Sequence, residues 1–269
     1  MTHTSRPRAV VTGASSGIGA AFAERLAREG FDLVIVARRR DRLEQLQQHL
    51  QGDHGVSVEV RQVNLADPDG LRGLEREVGD DAALEMLVNN AGFGAYMPFI
   101  QLDRATADEL IGVQVIAVTR LTRAALPGMI ARGRGTIINV SSRLAFSATI
   151  PAPPLPHRAT YAATKAYVNV FTELLHHELH GTGVRVQALC PGVVTTEFHG
   201  RMGMERPGGA DMHLSPEDVV AASLAGLRLG EVICIPALMD TDLLITYQDA
   251  QQQLLRGSPG REVAPRYRD

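Results

Sequence analysis

The stretch Thr12-Gly13-Ala14-Ser15-Ser16-Gly17-Ile18-Gly19 constrains this chain more than any other. It follows a short apolar run, Arg8 to Thr12, and precedes a helical pattern through Phe22, Leu26 and Ala27. The order is strand, glycine-rich turn, helix. Glycine lets the backbone turn tightly and come close to a ligand. The helix N-terminus then offers N–H groups and the positive end of its dipole to a pyrophosphate. A glycine-rich loop with no ligand is the alternative, and the strand-to-helix setting makes it the weaker one.

The chain goes on alternating. Asp32 to Ala37 reads as a second strand, then a helix carries Leu43, Leu46 and Leu50, and Ser57 to Val63 alternates like a strand. Asp67-Pro68 is a helix start, with Asp as N-cap and Pro at the first helical position. Leu87 to Asn89 is a strand, and a long helix after Asp103 runs through Leu110, Val113, Ala117 and Leu121. Gly135 to Val140 reads as a buried parallel strand, Val184 to Cys190 as another, and Glu231 to Ile235 as the last. Helices are expected from Thr160, from Ser215 and over Asp240 to Leu255. This predicts an α/β fold: a single doubly wound parallel sheet in a Rossmann-like three-layer α/β/α arrangement. With 269 residues and 45% hydrophobic content, one domain over 1–269 suffices, its core spanning about 8–236. A net charge of −3 gives no general attraction to nucleic acid or an anionic membrane. The first residues lack the apolar centre of a signal peptide, and no apolar run is expected to span a bilayer, so the expectation is a cytoplasmic protein. Cys190 and Cys234 sit in strand-like runs and are read as buried thiols.

The spacing Gly13-x-x-x-Gly17-x-Gly19 departs from the G-x-G-x-x-G fingerprint. It resembles the classical short-chain dehydrogenase/reductase family. Four further elements follow in that family's order: Asn89-Asn90-Ala91-Gly92, Ser141-Ser142, Tyr161 with Lys165, and Pro191-Gly192 with Thr196. On its own residues, Tyr161-x-x-x-Lys165 puts a phenol and an ammonium on one helix face. A cation beside a phenol favours the phenolate, which makes a proton donor and acceptor usable near neutral pH. Alone the pattern is weak; in this series it is not.

The resemblance implies an NADP(H)-dependent carbonyl reductase or alcohol dehydrogenase. Tyr161 would be the acid/base, Lys165 would lower its pKa and bind the nicotinamide ribose, and Ser142 would orient the carbonyl. The family's relay Asn falls on Gln114, whose longer stem leaves open whether it holds the same water or distorts the relay. The cofactor would lie on Gly13, Ser15, Ser16, Gly17, Ile18 and Gly19, with Asn64 and Leu65 at the adenine. Asn90, Ala91 and Gly92 would leave room for its backbone. Pro191, Gly192, Val193 and Thr196 would flank the nicotinamide beside Tyr161 and Lys165. Asn89 is read as support for the fold. The second strand ends in Ala37-Arg38-Arg39-Arg40, with no carboxylate there to repel a 2′-phosphate. Arg38 can fork onto such a phosphate, with Ser15 as the second contact the resemblance implies, so NADP(H) is preferred over NAD(H); Arg39 is read either as a cofactor-binding residue or as a solvated helix start. Arg40 is read as a solvated helix start.

The gap from Ser142 to Tyr161 is longer than in the family and holds Pro151 to His157, expected as a stiff extended loop, either substrate rim or inert bulge. Residues 197–214 match a lid, whose Phe198, Met202 and Met204 suit an apolar substrate. His176, His177 and His180 lack an acidic or Cys partner at ligand spacing, so no metal site is read there. Gly257 to Asp269, rich in Pro, Gly and Arg, is expected to be disordered or to lie on a partner subunit. The family implies a homodimer or homotetramer joined through the Gln114 and Tyr161 helices. Two other classes stay open: a non-redox enzyme on this scaffold, such as a dehydratase or epimerase, and a cofactor-sensing binding protein.

Overall fold

The computed structural model describes residues 6–198, 213–257, 260 and 262–268. Seven parallel strands form one sheet in the order β3-β2-β1-β4-β5-β6-β7. They are β1 (Arg8–Thr12), β2 (Asp32–Ala37), β3 (Val58–Gln62), β4 (Leu84–Asn89), β5 (Gly135–Val140), β6 (Val184–Leu189) and the short β7 (Ile233–Cys234). The helices between them are α1 (Gly17–Arg28), α2 (Arg40–His54), α3 (Pro68–Asp80), α4 (Arg104–Ile111), α5 (Ala117–Ala131), α6 (Ala159–Glu178) and α7 (Pro216–Leu229). Met1–Pro236 form one compact unit and Ala237–Asp269 a second, small one containing α8 (Asp242–Arg256) and a 3-10 turn at Pro265–Tyr267.

Alternation along each strand sends successive side chains to opposite faces. Ala9, Val11, Leu33 and Ile35 enter one core with Phe22 and Leu26 of α1, Leu43 and Leu50 of α2, and Val219 and Leu224 of α7. Val10, Val34 and Val36 enter the other with Leu71 and Leu74 of α3, Leu121 and Met129 of α5, and Leu175 of α6. That is the three-layer arrangement read from the sequence. The chain winds outward from β1 to β3, returns, and winds the other way from β4 to β7. The reversal opens a crevice beyond the carboxyl ends of β1 and β4, where such sheets bind ligands.

Helix starts follow local chemistry. Asp67 accepts from the Gly70 amide ahead of Pro68, Asp103 from Thr106, and Ser215 from Asp218. One expectation needs amending. α4, a π turn at Gly112–Ile116 and α5 run on as a single helix, Arg104–Ala131, that is long and apolar enough to cross a membrane by length and composition. Its apolar stripe, Val113, Ala117, Leu121, Ala125 and Met129, lies instead in the second core. The stripe belongs to a core helix resting on the sheet.

Candidate active site

The glycine turn leaves β1 and enters α1. Gly13 takes φ +68 and Gly17 φ +57, left-handed backbone that glycine tolerates best. A Cβ on Gly13 would come within 2.7 Å of Asn90 Nδ2, and one on Gly17 within 2.9 Å of Thr196 Cγ2. The turn is thus pressed between the loop after β4 and the loop after β6. Asn90 Nδ2 donates to the Thr12 carbonyl at 2.9 Å, while the Asn90 and Ala91 amides donate to Thr12 Oγ1 at 2.9 and 3.0 Å. Ser16 is the N-cap of α1 without a side-chain cap bond, and Ile18 packs on the first core. A helix N-terminus facing a cradle kept open by glycines fits a dinucleotide pyrophosphate. Beyond β3, Asn64 Oδ1 accepts from the Ala66 amide at 3.1 Å and Leu65 is buried.

The two arginines after β2 diverge. Arg39 reaches the glycine turn: Nη2 donates to Ser15 Oγ at 3.0 Å, to the Ser15 carbonyl at 3.1 Å and to Ser16 Oγ at 2.9 Å. Its Nη1 meets Glu197 at 3.0 Å. Arg38 turns away and pairs with Glu109 of α4 at 2.6 Å. The sequence put Arg38 first; the cation beside the turn is Arg39. Glu197 also binds Arg42 at 2.5 Å, and Arg42 followed by Arg39 holds its carboxyl down at about 2. Arg40 pairs with Glu44 on the exposed face of α2.

Ser142, Tyr161 and Lys165 come together beyond β5. All three are buried. The Tyr161 hydroxyl faces Ser142, whose Oγ accepts from the Leu144 amide at 3.1 Å. Lys165 Nζ lies 5.8 Å from the Tyr161 ring centroid and donates to the Val140 carbonyl at 2.8 Å. Ser141 donates to the Lys165 carbonyl at 3.0 Å, a structural role. The expected lowering of the Tyr161 pKa by Lys165 is not seen. Burial pushes Tyr161 up to about 12, against the neighbouring Ser142 and Tyr96 hydroxyls, which act to lower it. Burial also brings Lys165 down to about 8. Desolvation dominates both shifts, and neither group figures among the causes of the other's.

Gln114 sits, fully buried, on the π turn. Its Nε2 donates to the Phe93 carbonyl at 2.6 Å and its Oε1 accepts from Thr164 Oγ1 at 3.3 Å. Gly92 lies between it and Lys165: a Cβ there would be 3.6 Å from both Gln114 Cδ and Lys165 Nζ. Asn89 donates to Thr122 Oγ1 and to Asn139 Oδ1, and Asn139 donates to Thr172 Oγ1, which stitches α5 and α6 to the sheet. After β6, the Pro191 carbonyl accepts from Arg143, Gly192 faces the Arg143 guanidinium, Val193 accepts from Leu214, and Thr196 Oγ1 accepts from Phe198.

Two residues were invisible in the sequence. Tyr96 forms an apolar wall at Tyr161 with Met97, Leu102, Leu144 and Phe198. Its one signal was its place just after β4, where ligands gather. Arg158, buried, donates to Ser147 Oγ and to the carbonyls of Ser147, Ile150 and Pro156 at 2.6–2.8 Å. Those bonds draw the proline segment into a turn where the prolines suggested an extended loop. Met202, Met204 and most of the expected lid lie outside the described residues. His176, His177 and His180 are exposed.

Fold and site together define a Rossmann-like α/β protein of the dinucleotide-binding class, with a serine, a tyrosine and a lysine gathered beside the cradle. Residues 7–206 match the family model described as short chain dehydrogenase. The chain belongs to the short-chain dehydrogenase family. It is 36% identical over 201 residues to the very-long-chain 3-oxoacyl-CoA reductase of Mus musculus, an alignment covering 71% of this chain and 60% of the relative. The chain therefore spans less than two thirds of that relative's length. A short-chain dehydrogenase of Sphingobium yanoikuyae, solved in complex with NADPH, superposes with TM-score 0.91 at 35% identity, over 97% of this chain and 100% of that one. The bulky-bulky ketone specific alcohol dehydrogenase of Comamonas testosteroni gives TM-score 0.88 at 32% identity, over 99% and 100%.

Proposed function

We propose that this chain is an oxidoreductase that interconverts a ketone and a secondary alcohol with NADP(H), using Tyr161 as the proton donor and acceptor. The observation that carries the reading is the gathering of Ser142, Tyr161 and Lys165, all buried, with Lys165 Nζ 5.8 Å from the Tyr161 ring, next to the glycine cradle. The nicotinamide, when bound, gives or takes the hydride. Ser142 donates to the carbonyl oxygen and fixes its position. Tyr161, held protonated by burial at neutral pH, supplies the proton to that oxygen during reduction. Lys165, whose pKa near 8 leaves it mostly cationic at pH 7, stabilises the phenolate left behind. Gln114 braces the wall behind Gly92 and Lys165.

Arg39, beside Ser15 and Ser16, supports NADP(H) over NAD(H), and the NADPH complex of the Sphingobium structure agrees with it. The apolar wall of Tyr96, Met97, Leu102, Leu144 and Phe198 favours a ketone with apolar bulk. The names of the Comamonas dehydrogenase and the mouse reductase point to bulky ketones and 3-oxoacyl thioesters as the first compounds to try. A homodimer is part of the proposal. Tyr167, Val170 and Leu174 of α6 and Ile116 beside α5 are exposed apolar groups, and Thr119 joins the two helices through Tyr167 at 2.8 Å.

The test is NADPH consumption against bulky ketones, aldehydes and a 3-oxoacyl thioester, with NADH alongside. Turnover of a ketone with NADPH is expected. Tyr161→Phe should lose activity by roughly 100- to 10,000-fold, the usual worth of one acid/base group, while still binding NADPH. Activity retained in Tyr161→Phe would remove the assigned proton donor. Tight NADPH binding with no turnover would favour a non-redox enzyme or a sensor.

A further inference from the structure

Arg158 is buried at the N-cap of α6, in the turn before Tyr161. A helix N-terminus disfavours a cation, so the helix does not account for this arginine. What holds it is a set of neutral oxygens. Nε donates to Ser147 Oγ at 2.7 Å and Nη1 to the Pro156 carbonyl at 2.8 Å. Nη2 donates to the carbonyls of Ser147 and Ile150 at 2.8 and 2.6 Å. The Arg158 carbonyl itself accepts from the Ala162 amide at 2.7 Å. The first turn of α6, which carries Tyr161, is thus anchored on the same residue.

The side-chain bonds continue past Ser147. A guanidinium cannot accept, so the Ser147 hydroxyl accepts from it and directs its own proton elsewhere. That proton goes to the Leu144 carbonyl at 2.7 Å, which also takes the Ser147 amide at 3.2 Å. The Leu144 amide in turn donates to Ser142 Oγ at 3.1 Å. A 3-10 turn, Arg143–Phe146, joins the two serines, with Ser142 as its N-cap and Ser147 as its C-cap. The Leu144 side chain packs in the apolar wall with Tyr161 and Phe198. An amide on one lone pair of Ser142 Oγ leaves the serine hydrogen for a substrate oxygen and makes it a better donor. One guanidinium therefore grips both sides of the site. It holds Tyr161 through the start of its helix, and Ser142 through Ser147 and Leu144.

We propose that Arg158 is a positioning residue that sets the Ser142 hydroxyl against Tyr161, acting through Ser147 and Leu144. The proposal rests on Ser142 and Tyr161 meeting the substrate oxygen. The role asks for no contact between Arg158 and the substrate. It does ask for a fork, since the four acceptors lie around one planar group that a lysine ammonium does not reproduce. It also gives the long segment between Ser142 and Tyr161 a part in the reaction: the segment closes on Arg158 and passes its hold to Ser142.

The test is single-turnover oxidation of NADPH, with enzyme in excess over NADPH and propiophenone as the saturating ketone, so that slow variants still give a rate. Wild type is compared with Ser147→Ala, Arg158→Met, Ser142→Ala and the two double variants built on Ser142→Ala. A misplacement of about 1 Å can cost roughly 100-fold, so Arg158→Met should slow the step by about that factor and Ser147→Ala by about tenfold. NADPH affinity should hold, because the side-chain partners of Ser147 and Arg158 all lie within 144–158. On Ser142→Ala the same two substitutions should slow the step by no more than about twofold, because the group they position is gone. Losses that repeat in full on Ser142→Ala would overturn the proposal and make Arg158 a packing residue. Ser147→Ala at the wild-type rate would overturn it too. Ser147→Ala keeps the three carbonyl bonds of Arg158, so it decides the matter even where Arg158→Met fails to fold. Full activity of Ser142→Ala with Arg158 intact would overturn the proposal through the mechanism beneath it, a pattern distinct from the other two.

Discussion

Two adjacent arginines carry the same charge and do different work, and which does which is set by where the backbone leaves β2. Arg39 is the N-cap residue of α2, in an extended conformation that aims its side chain at the glycine turn. Its guanidinium fork bridges Ser15 and Ser16 and still meets Glu197. A 2′-phosphate arriving there would find a cation already shaped for an anion, with Glu197 to displace. Arg38 has Glu109 instead. Charge-assisted bonds are worth about 1.5–3 kcal/mol each. Arg39→Ala should therefore weaken NADPH binding by roughly 10- to 100-fold and leave NADH within about twofold, as read by fluorescence titration. Arg38→Ala should change both little. The reverse pattern would return the phosphate contact to Arg38.

At the scale of elements, the long helix over Arg104–Ala131 is not uniform. Gly112–Ile116 make a π turn, a widening that often marks a functional site. The turn points the Gln114 amide at the Phe93 carbonyl, just past Gly92. Gln114→Ala would leave that carbonyl without this donor and hollow out a fully buried site. A loss of about 1–3 kcal/mol is expected, with a lower melting temperature. Gln114→Asn should recover little of it, because the shorter stem ends a methylene short of Phe93. Full recovery would show that the amide and not its reach matters. The π turn also marks the limit of what could be read from sequence. Caps at Asp67, Asp103 and Ser215 were legible because a cap is chemistry between neighbours. The strand–glycine–helix start and the Ser142, Tyr161 and Lys165 set were legible because their spacing is fixed by the turns that carry them. Tyr96 and Arg158 were not. Each acts on a partner from another segment, and no local period records such a contact. The Tyr161 pKa went astray for the same reason: spacing gave the cation, and burial, which spacing does not give, decided the outcome.

For the whole molecule, the site puts several titratable groups into a core that must keep them in one protonation state. Lys165 is the sole lysine of the chain, so no other lysine shares its alkaline window. Its pKa falls from 10.5 to about 8 on folding. Between those values the unfolded chain binds the extra proton, so stability rises with pH there. The thiols act oppositely. Cys190 and Cys234 go from 9.0 to about 12, both chiefly through burial. Above 9 the folded state holds protons that the unfolded state has released, and stability falls. Tyr161, raised from 10.0 to about 12, adds to the fall above 10, as does Tyr96, raised in the same direction. Each group contributes about 1.4 kcal/mol per pH unit inside its window. From pH 8 to 9 Lys165 acts alone among these groups and its contribution is a rise. From 9 to 10 the two thiols outnumber it, and beyond 10 the phenols join them. A melting-temperature series should therefore peak near pH 9 and fall with growing steepness above 10. Cys190→Ala with Cys234→Ala removes the thiol contribution and should carry the peak toward pH 10, where the phenols take over. Lys165→Met should abolish the rise between 8 and 9 while leaving the later fall in place. A peak that stays at pH 9 without the thiols would mean that other groups govern the alkaline limb.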